Sequence, residues 1–183
     1  MICGLDISTS CIGICVKDVE NKKVYFENFK PKGEDWIDKS TSTRDYLLKL
    51  IVDYDIKKIY IEENLQAFRP GLSSAKTLMS LARFNGIVSF LVKDIFSIKP
   101  EFINVNSARK ELGIKIDRKS SFSTKEQVFK WVEQRNNFNW PTRILKSGKR
   151  KGQTILCDEV YDMADAYVIA SAGEKLLYNI PKS

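Results

Sequence analysis

The chain contains no histidine. That absence removes the imidazole base of serine and cysteine triads and the nitrogen ligands of most zinc sites. The four cysteines, Cys3, Cys11, Cys15 and Cys157, include no C-x-x-C pair, so neither a zinc ribbon nor a thioredoxin-type motif is present. Three of them lie in apolar runs and read as small buried thiols. No apolar run approaches the roughly 18–20 residues of a membrane span, and no charged segment followed by an apolar one opens the sequence, so no membrane partner is expected. The corresponding expectation is a reducing, cytoplasmic setting.

What is present fits one well-filled core. With 183 residues, 43 % of them hydrophobic, a single domain over residues 1–183 is expected. Lysine and arginine number 30 against 23 acids, a net charge of +7 with a pI near 9.2. This balance suits a polyanionic partner, although many soluble proteins are mildly basic without binding one.

Residues 2–6, 12–17 and 23–30 read as three strands joined by short polar turns, an antiparallel meander. Residues 31–43 are polar and turn-rich. Leu47, Leu50, Ile51 and Tyr54 recur at helical spacing, which predicts a helix over 43–54. Residues 57–62 form a fourth strand, reached from a helix and so able to lie parallel to the first. After a loop at 64–74, the segment 74–96 is apolar around almost its whole circumference, as expected of a helix covered on more than one side.

Residues 101–105 read as a fifth strand, with Asn106 and Ser107 as caps for a helix over 108–112. A basic loop spans 114–121. Ser123 and Glu126 fit a capping box opening a helix at 125–135. Residues 136–153 carry Arg143, Lys146, Lys149, Arg150 and Lys151 around a Ser-Gly pair and read as a mobile basic loop. A final helix runs over 158–177.

The acids are placed unusually. Asp6 closes the first strand, before the hydroxyl-rich turn Ser8-Thr9-Ser10, and Glu62 and Glu63 close the fourth. On the last helix Asp158, Asp162 and Asp165 fall within an arc of about 60°, because i, i+4 and i+7 share a face. Two carboxylates 4 Å apart repel by roughly 4 kcal/mol at an effective dielectric of 20. Such a face is either a solvated stripe or one that needs a cation. If Asp6 and Glu62 converge on it, hard Mg²⁺ or Mn²⁺ is the natural compensation. Two such ions would suit phosphodiester cleavage.

Taken in order, GLDISTSCIG, IYIEEN and DMADAYVIA resemble the RuvC-type Holliday junction resolvases, over nearly the whole chain except residues 136–153, which look longer than usual. The resemblance implies a ribonuclease H-like α/β fold: a mixed five-stranded sheet, three strands antiparallel and the others parallel, flanked by helices. It implies an endonuclease acting on four-way DNA junctions, with Asp6, Glu62, Asp162 and Asp165 as ligands of two Mg²⁺, for which Mn²⁺ can substitute. Asp158 has no counterpart in the family, and Glu63 falls where glutamine is common.

By the same resemblance Lys125 matches a lysine that touches the scissile phosphate. Arg109 and Lys110 match a basic position more loosely, and Lys115, Arg118 and Lys119 would extend a basic rim. The family's wedging aromatic falls on Leu65, with Phe68 and Arg69 a little further on. Phe68 could stack on a base or tuck under its own loop. The apolar segment 74–96 would be either the central helix of the domain or a homodimer interface.

Three other readings remain open. The turn after Asp6 resembles a phosphate loop of the sugar-kinase and actin group, but a second such loop and a second domain are missing, so no nucleotide cofactor is expected. A junction-binding protein without catalysis and a ribonuclease H-type nuclease acting on hybrids share most of the same features. The abundance of Lys, Ile and Asn suits a bacterial or phage-infected cell.

Overall fold

The computed structural model of the chain describes residues 1–63 and 75–179. β1 (Ile2–Ile7), β2 (Ile12–Asp18) and β3 (Lys23–Phe29) form the expected meander, β1 pairing β2 from Ile2↔Lys17 to Ile7↔Ile12. α1 (Trp36–Asp53) crosses to β4 (Lys58–Glu62), which runs parallel to β1 from Ile2↔Lys58 to Leu5↔Ile61. α2 (Ala75–Phe96) leads to β5 (Glu101–Ile103), parallel to β4. The strand order is β3-β2-β1-β4-β5, the mixed five-stranded sheet expected. α3 (Val105–Glu111), α4 (Thr124–Glu133), a two-stranded hairpin of β6 (Thr142–Ile144) and β7 (Thr154–Leu156), and α5 (Glu159–Asn179) complete the order.

Three layers result, because successive strand side chains point to opposite faces. Cys3, Leu5, Ile7, Ile14, Val16, Ile59 and Ile61 form one core with Leu47 and Leu50 of α1 and Phe84, Val88 and Val92 of α2. Ile2, Cys15, Phe26 and Tyr60 face the other way, onto α3, α4 and α5. α5 is the spine of that second core: Val160, Met163, Ala164, Ala166, Val168, Ile169 and Ala170 are all at most 1 % exposed. None of the described helices is long and apolar enough to cross a membrane.

Several boundaries differ from expectation, each for a local reason. α1 starts at Trp36, well before residue 43, because Asp35 caps it by accepting from the amides of Ile37 and Asp38. Ser40 and Thr43, which make the segment look like a loop, donate to the carbonyls of Trp36 and Lys39 and are buried. β5 stops at Ile103 because Asn104, rather than Asn106 or Ser107, caps the next helix. The capping box of Ser123 and Glu126 is present as expected.

Two corrections are larger. Residues 136–153, expected as a basic loop, contribute one strand and the turn of a β-hairpin, with pairing from Thr142↔Leu156 to Ile144↔Thr154. Among the described residues α2 is covered along one side: Phe84, Val88, Val92 and Phe96 are buried, while Met79 is 56 % and Phe90 66 % exposed.

Candidate active site

The strand alternation that splits the two cores also aims the acids. Gly4 and Asp6 lie on the α5 side of β1, and Tyr60 and Glu62 on the same side of β4. The last paired step is Leu5↔Ile61, so Asp6 and Glu62 are the next residues along two adjacent parallel strands. α5 is brought down on them by two glycines. A Cβ at Gly13, the partner of Asp6 across β1 and β2, would overlap the carbonyl oxygen of Asp162, and one at Gly4 would overlap that of Ala166. No larger residue permits that approach, since a side chain here would collide with backbone.

Asp162 and Asp165 therefore descend toward Asp6 and Glu62, and α4 supplies Lys125 from the side. Lys125 Nζ lies 3.3 Å from Asp162 Oδ1, its side chain 59 % exposed. Arg109 of α3 places Nη2 3.2 Å from Asp165 Oδ1, with side chains 15 % and 8 % exposed. Exposure separates the two pairs. The lysine is free to turn outward, whereas the arginine is fixed inward, and its Nε has no hydrogen-bond partner among the described residues.

Acids outnumber bases in the cleft, and their protonation reflects it. Burial, then Glu62, Asp165 and Asp162, push the Asp6 carboxyl well above its usual range, against the pull of Lys125. Burial and Asp165 push Glu62 up to about 7 although Arg109 and Lys125 oppose them. Asp165 is raised by burial even with Arg109 beside it. Burial pulls the Lys125 ammonium down, but Asp162, Asp165 and Asp6 together hold it above the ordinary lysine value.

A cleft of about 580 Å³ opens onto this group, lined by Asp6, Ser8, Glu62, Lys125, Tyr161 and Asp162 among others. Its donors are carboxylate oxygens, the set that hard divalent cations prefer. In kind they fit Mg²⁺ or Mn²⁺. In spacing, no three of the Asp, Glu or Cys groups among the described residues form a ready metal cage; the acids interact through their fields while Lys125 and Arg109 hold two of them.

The other sequence candidates fall in three places. Lys110, Lys115 and Arg118 line one shallow depression with Arg109, and Lys119 is exposed nearby. Asp158 sits at the cleft rim, 82 % exposed and 3.0 Å from Arg143. Leu65, Phe68 and Arg69 lie outside the described residues. Two features were not anticipated. Burial, and after it the Asp162 carboxylate, push the Cys11 thiol up to about 12. Ser8 pins the turn, its Oγ accepting from the Cys11 amide at 3.0 Å and donating to the Cys11 carbonyl at 2.8 Å. No pattern in the sequence marks Cys11; Ser8, directly after an acid-bearing strand, carries the ordinary signature of a side-chain-closed turn.

No protein-family model matches the chain, and no curated protein sequence does either. Solved structures do. T. thermophilus RuvC in complex with a Holliday junction substrate is 14 % identical over 97 % of this chain and 94 % of that one, with a TM-score of 0.60. Thermus thermophilus RuvC in a second structure is 12 % identical over 96 % and 95 %, with a TM-score of 0.57. The yeast mitochondrial Holliday junction resolvase Ydc2 is 14 % identical over 93 % and 76 %, with a TM-score of 0.53. The chain thus has a ribonuclease H-like α/β fold. Within that class its fold is the one seen in RuvC and Ydc2.

Proposed function

We propose that this protein is a metal-dependent, structure-selective DNA endonuclease that resolves four-way junctions by paired nicks. One observation carries the reading: Asp6, Glu62 and Asp162, drawn from β1, β4 and α5, line one open cleft with Lys125, and the buried Asp165 acts on Asp6 and Glu62 from beside it. The fold shared with Holliday junction resolvases supports the substrate.

Asp6, Glu62, Asp162 and Asp165 would hold two Mg²⁺, or Mn²⁺ in their place. Bound there, such ions activate a water and neutralise charge on the leaving oxygen. The chain's own groups do the rest. Arg109 fixes the Asp165 carboxylate, Lys125 orients that of Asp162, and the exposed Lys125 ammonium can leave Asp162 to contact the scissile phosphate. Lys110, Lys115, Arg118 and Lys119 supply phosphate contacts along a neighbouring rim, which fix register without reading sequence.

Paired nicks require two active sites, and α2 offers the surface for a second copy. Met79, Ala82, Gly86 and Phe90 are exposed and recur at helical spacing along one stripe. A twofold contact through this stripe would set two clefts in symmetric positions. Phe90→Glu is expected to turn a dimer into a monomer in analytical ultracentrifugation.

The deciding experiment incubates labelled four-way junction with the protein, with and without Mg²⁺. Symmetric nicks that need the ion are expected. Asp6→Asn should retain junction binding and lose cleavage; normal nicking by this variant refutes the assignment. A second reading, junction binding without catalysis, draws on the absence of a ready metal cage among the described residues. It predicts binding with no nicks in either Mg²⁺ or Mn²⁺. An excess of RNA–DNA hybrid that competes better than junction would move the substrate to hybrids.

A further inference from the structure

We propose that the β6–β7 hairpin is a second DNA-binding element, an arm that grips the phosphate backbone of the duplex next to the cleft. The inference rests on the nuclease reading above for its substrate, but its evidence is separate. From Thr142 to Cys157 the chain carries Arg143, Lys146, Lys149, Arg150 and Lys151 and no acid. All five cations are exposed. Among the described residues Arg143 alone of the five is in a salt bridge.

The hairpin is built rather than loose. Its ladder extends past the paired strands, the amide of Cys157 donating to Pro141 O at 2.9 Å and that of Leu145 to Gln153 O at 3.0 Å. The tip is closed by further bonds, Gly152 N to Leu145 O at 2.8 Å and Arg150 Nε to Gln153 Oε1 at 2.8 Å. Gly148 and Gly152 take φ of 79° and 87° to make the turn. At the base Trp140 is packed against Phe26 and Phe129 in the α5-side core.

The arm is also aimed. β7 runs into α5, the helix bearing Asp162 and Asp165, and Arg143 bonds Asp158 on the cleft rim at 3.0 Å. At about 3.3 Å per extended residue the seven steps from Lys151 to Asp158 span at most about 23 Å, which the turn at Gly152 shortens to roughly 20 Å. That span corresponds to about six base pairs of duplex at 3.4 Å each. A two-stranded ribbon is also one of the shapes that B-DNA grooves accept. A duplex entering the cleft at Lys125 would therefore pass the cations of the tip.

The test uses the full chain with Ca²⁺ in place of Mg²⁺, so that binding is read without cleavage. Wild type and the triple variant Lys146→Ala, Lys149→Ala, Lys151→Ala are titrated onto a four-way junction with 20-bp arms and onto linear duplex, across a salt series. The variant should bind both DNAs about 10–100-fold more weakly near physiological salt, with a salt slope shallower by roughly 0.9 for each phosphate that it no longer neutralises. Ethylation interference on the junction should show wild-type protection about six base pairs from the cut that the variant lacks. Equal affinity and equal slope for the variant overturn the inference. Should wild type show no preference for junction over duplex, the junction reading fails, and the arm is then judged on duplex alone by the same comparison. Lys149→Glu guards against misfolding: one reversed charge at the tip should weaken binding, with an unchanged melting temperature, and unchanged binding also counts against the arm.

Discussion

On the α1/α2 side of the sheet, β1 and β4 present Cys3, Leu5, Ile7, Ile59 and Ile61, all wrapped in hydrocarbon. On the α5 side the same strands present Gly4, Asp6, Tyr60 and Glu62, two of them acids and one with no side chain at all. Neighbouring residues on one strand thus serve different ends. One face contributes cohesion through buried apolar area, and the other accepts repulsion among acids in order to concentrate them. A protein can hold so many carboxylates together only if stability is supplied elsewhere, and here it is supplied one residue away.

That contrast is sharpest at the pair Leu5 and Asp6. Outer partners of metal ligands are commonly worth about 10–100-fold in activity, so Asp6→Asn, at a proposed ligand itself, should lower Mg²⁺-dependent cleavage by more than about 100-fold. Its melting temperature without metal should stay level or rise, because an acid repelled by Glu62, Asp165 and Asp162 has become neutral. Leu5→Ala should do the reverse, costing about 3 kcal/mol, or roughly 10 °C for a domain of this size, while the folded fraction still cleaves. Calorimetry and single-turnover cleavage on both variants decide the matter. If Asp6→Asn proves the less stable of the two, the division between the faces is wrong.

Gly13→Ala probes the seam where α5 meets the sheet. The added methyl would strike the Asp162 carbonyl, and overpacking of this kind typically costs about 1–3 kcal/mol. Because the displaced residue carries a site carboxylate, cleavage should fall further than the loss of stability explains. An alanine variant with full activity would mean that α5 can shift without disturbing the cleft.

The smallest expected effect is on pH dependence. Glu62 is pushed up to about 7 by burial and Asp165, so between its ordinary value and 7 the folded chain holds a proton that the unfolded chain has released. Its contribution to stability is complete at low pH and disappears as pH rises through 7. Metal-free protein should therefore lose roughly 1 kcal/mol from this group between about pH 5 and 8, after allowance for solvent screening. Glu62→Gln should flatten the melting curve over that range; an unchanged slope would place the charge imbalance elsewhere.

The meander and the parallel fourth strand were legible in the sequence, because apolar runs broken by short polar turns mark strands; the turn of Asp6 and Glu62 toward α5 depends on packing, and in the sequence it stood only as a condition. The start of α1 was hidden because Ser40 and Thr43 look polar in sequence and yet bond the preceding turn of their own helix. The hairpin was hidden because three-residue strands carry too little alternation to register. In α2, apolarity around most of the circumference signalled burial on more than one side, and among the described residues one side is covered. At the site, the sequence matches Arg109 to a basic DNA-binding position; its inward turn onto Asp165 depends on the placement of α3, which no local pattern encodes.

The seam at Gly13 has a consequence for how the molecule comes into being. Asp6 and Glu62 are made early, whereas Asp162 and Asp165 belong to the last helix, which rests on strands synthesised more than a hundred residues before it. At about 5–20 residues per second, a nascent chain spends many seconds with two of its acids in place and the other two not yet made. The cleft is thus assembled only when α5 arrives, and a partly translated copy holds Asp6 and Glu62 without Asp162 and Asp165.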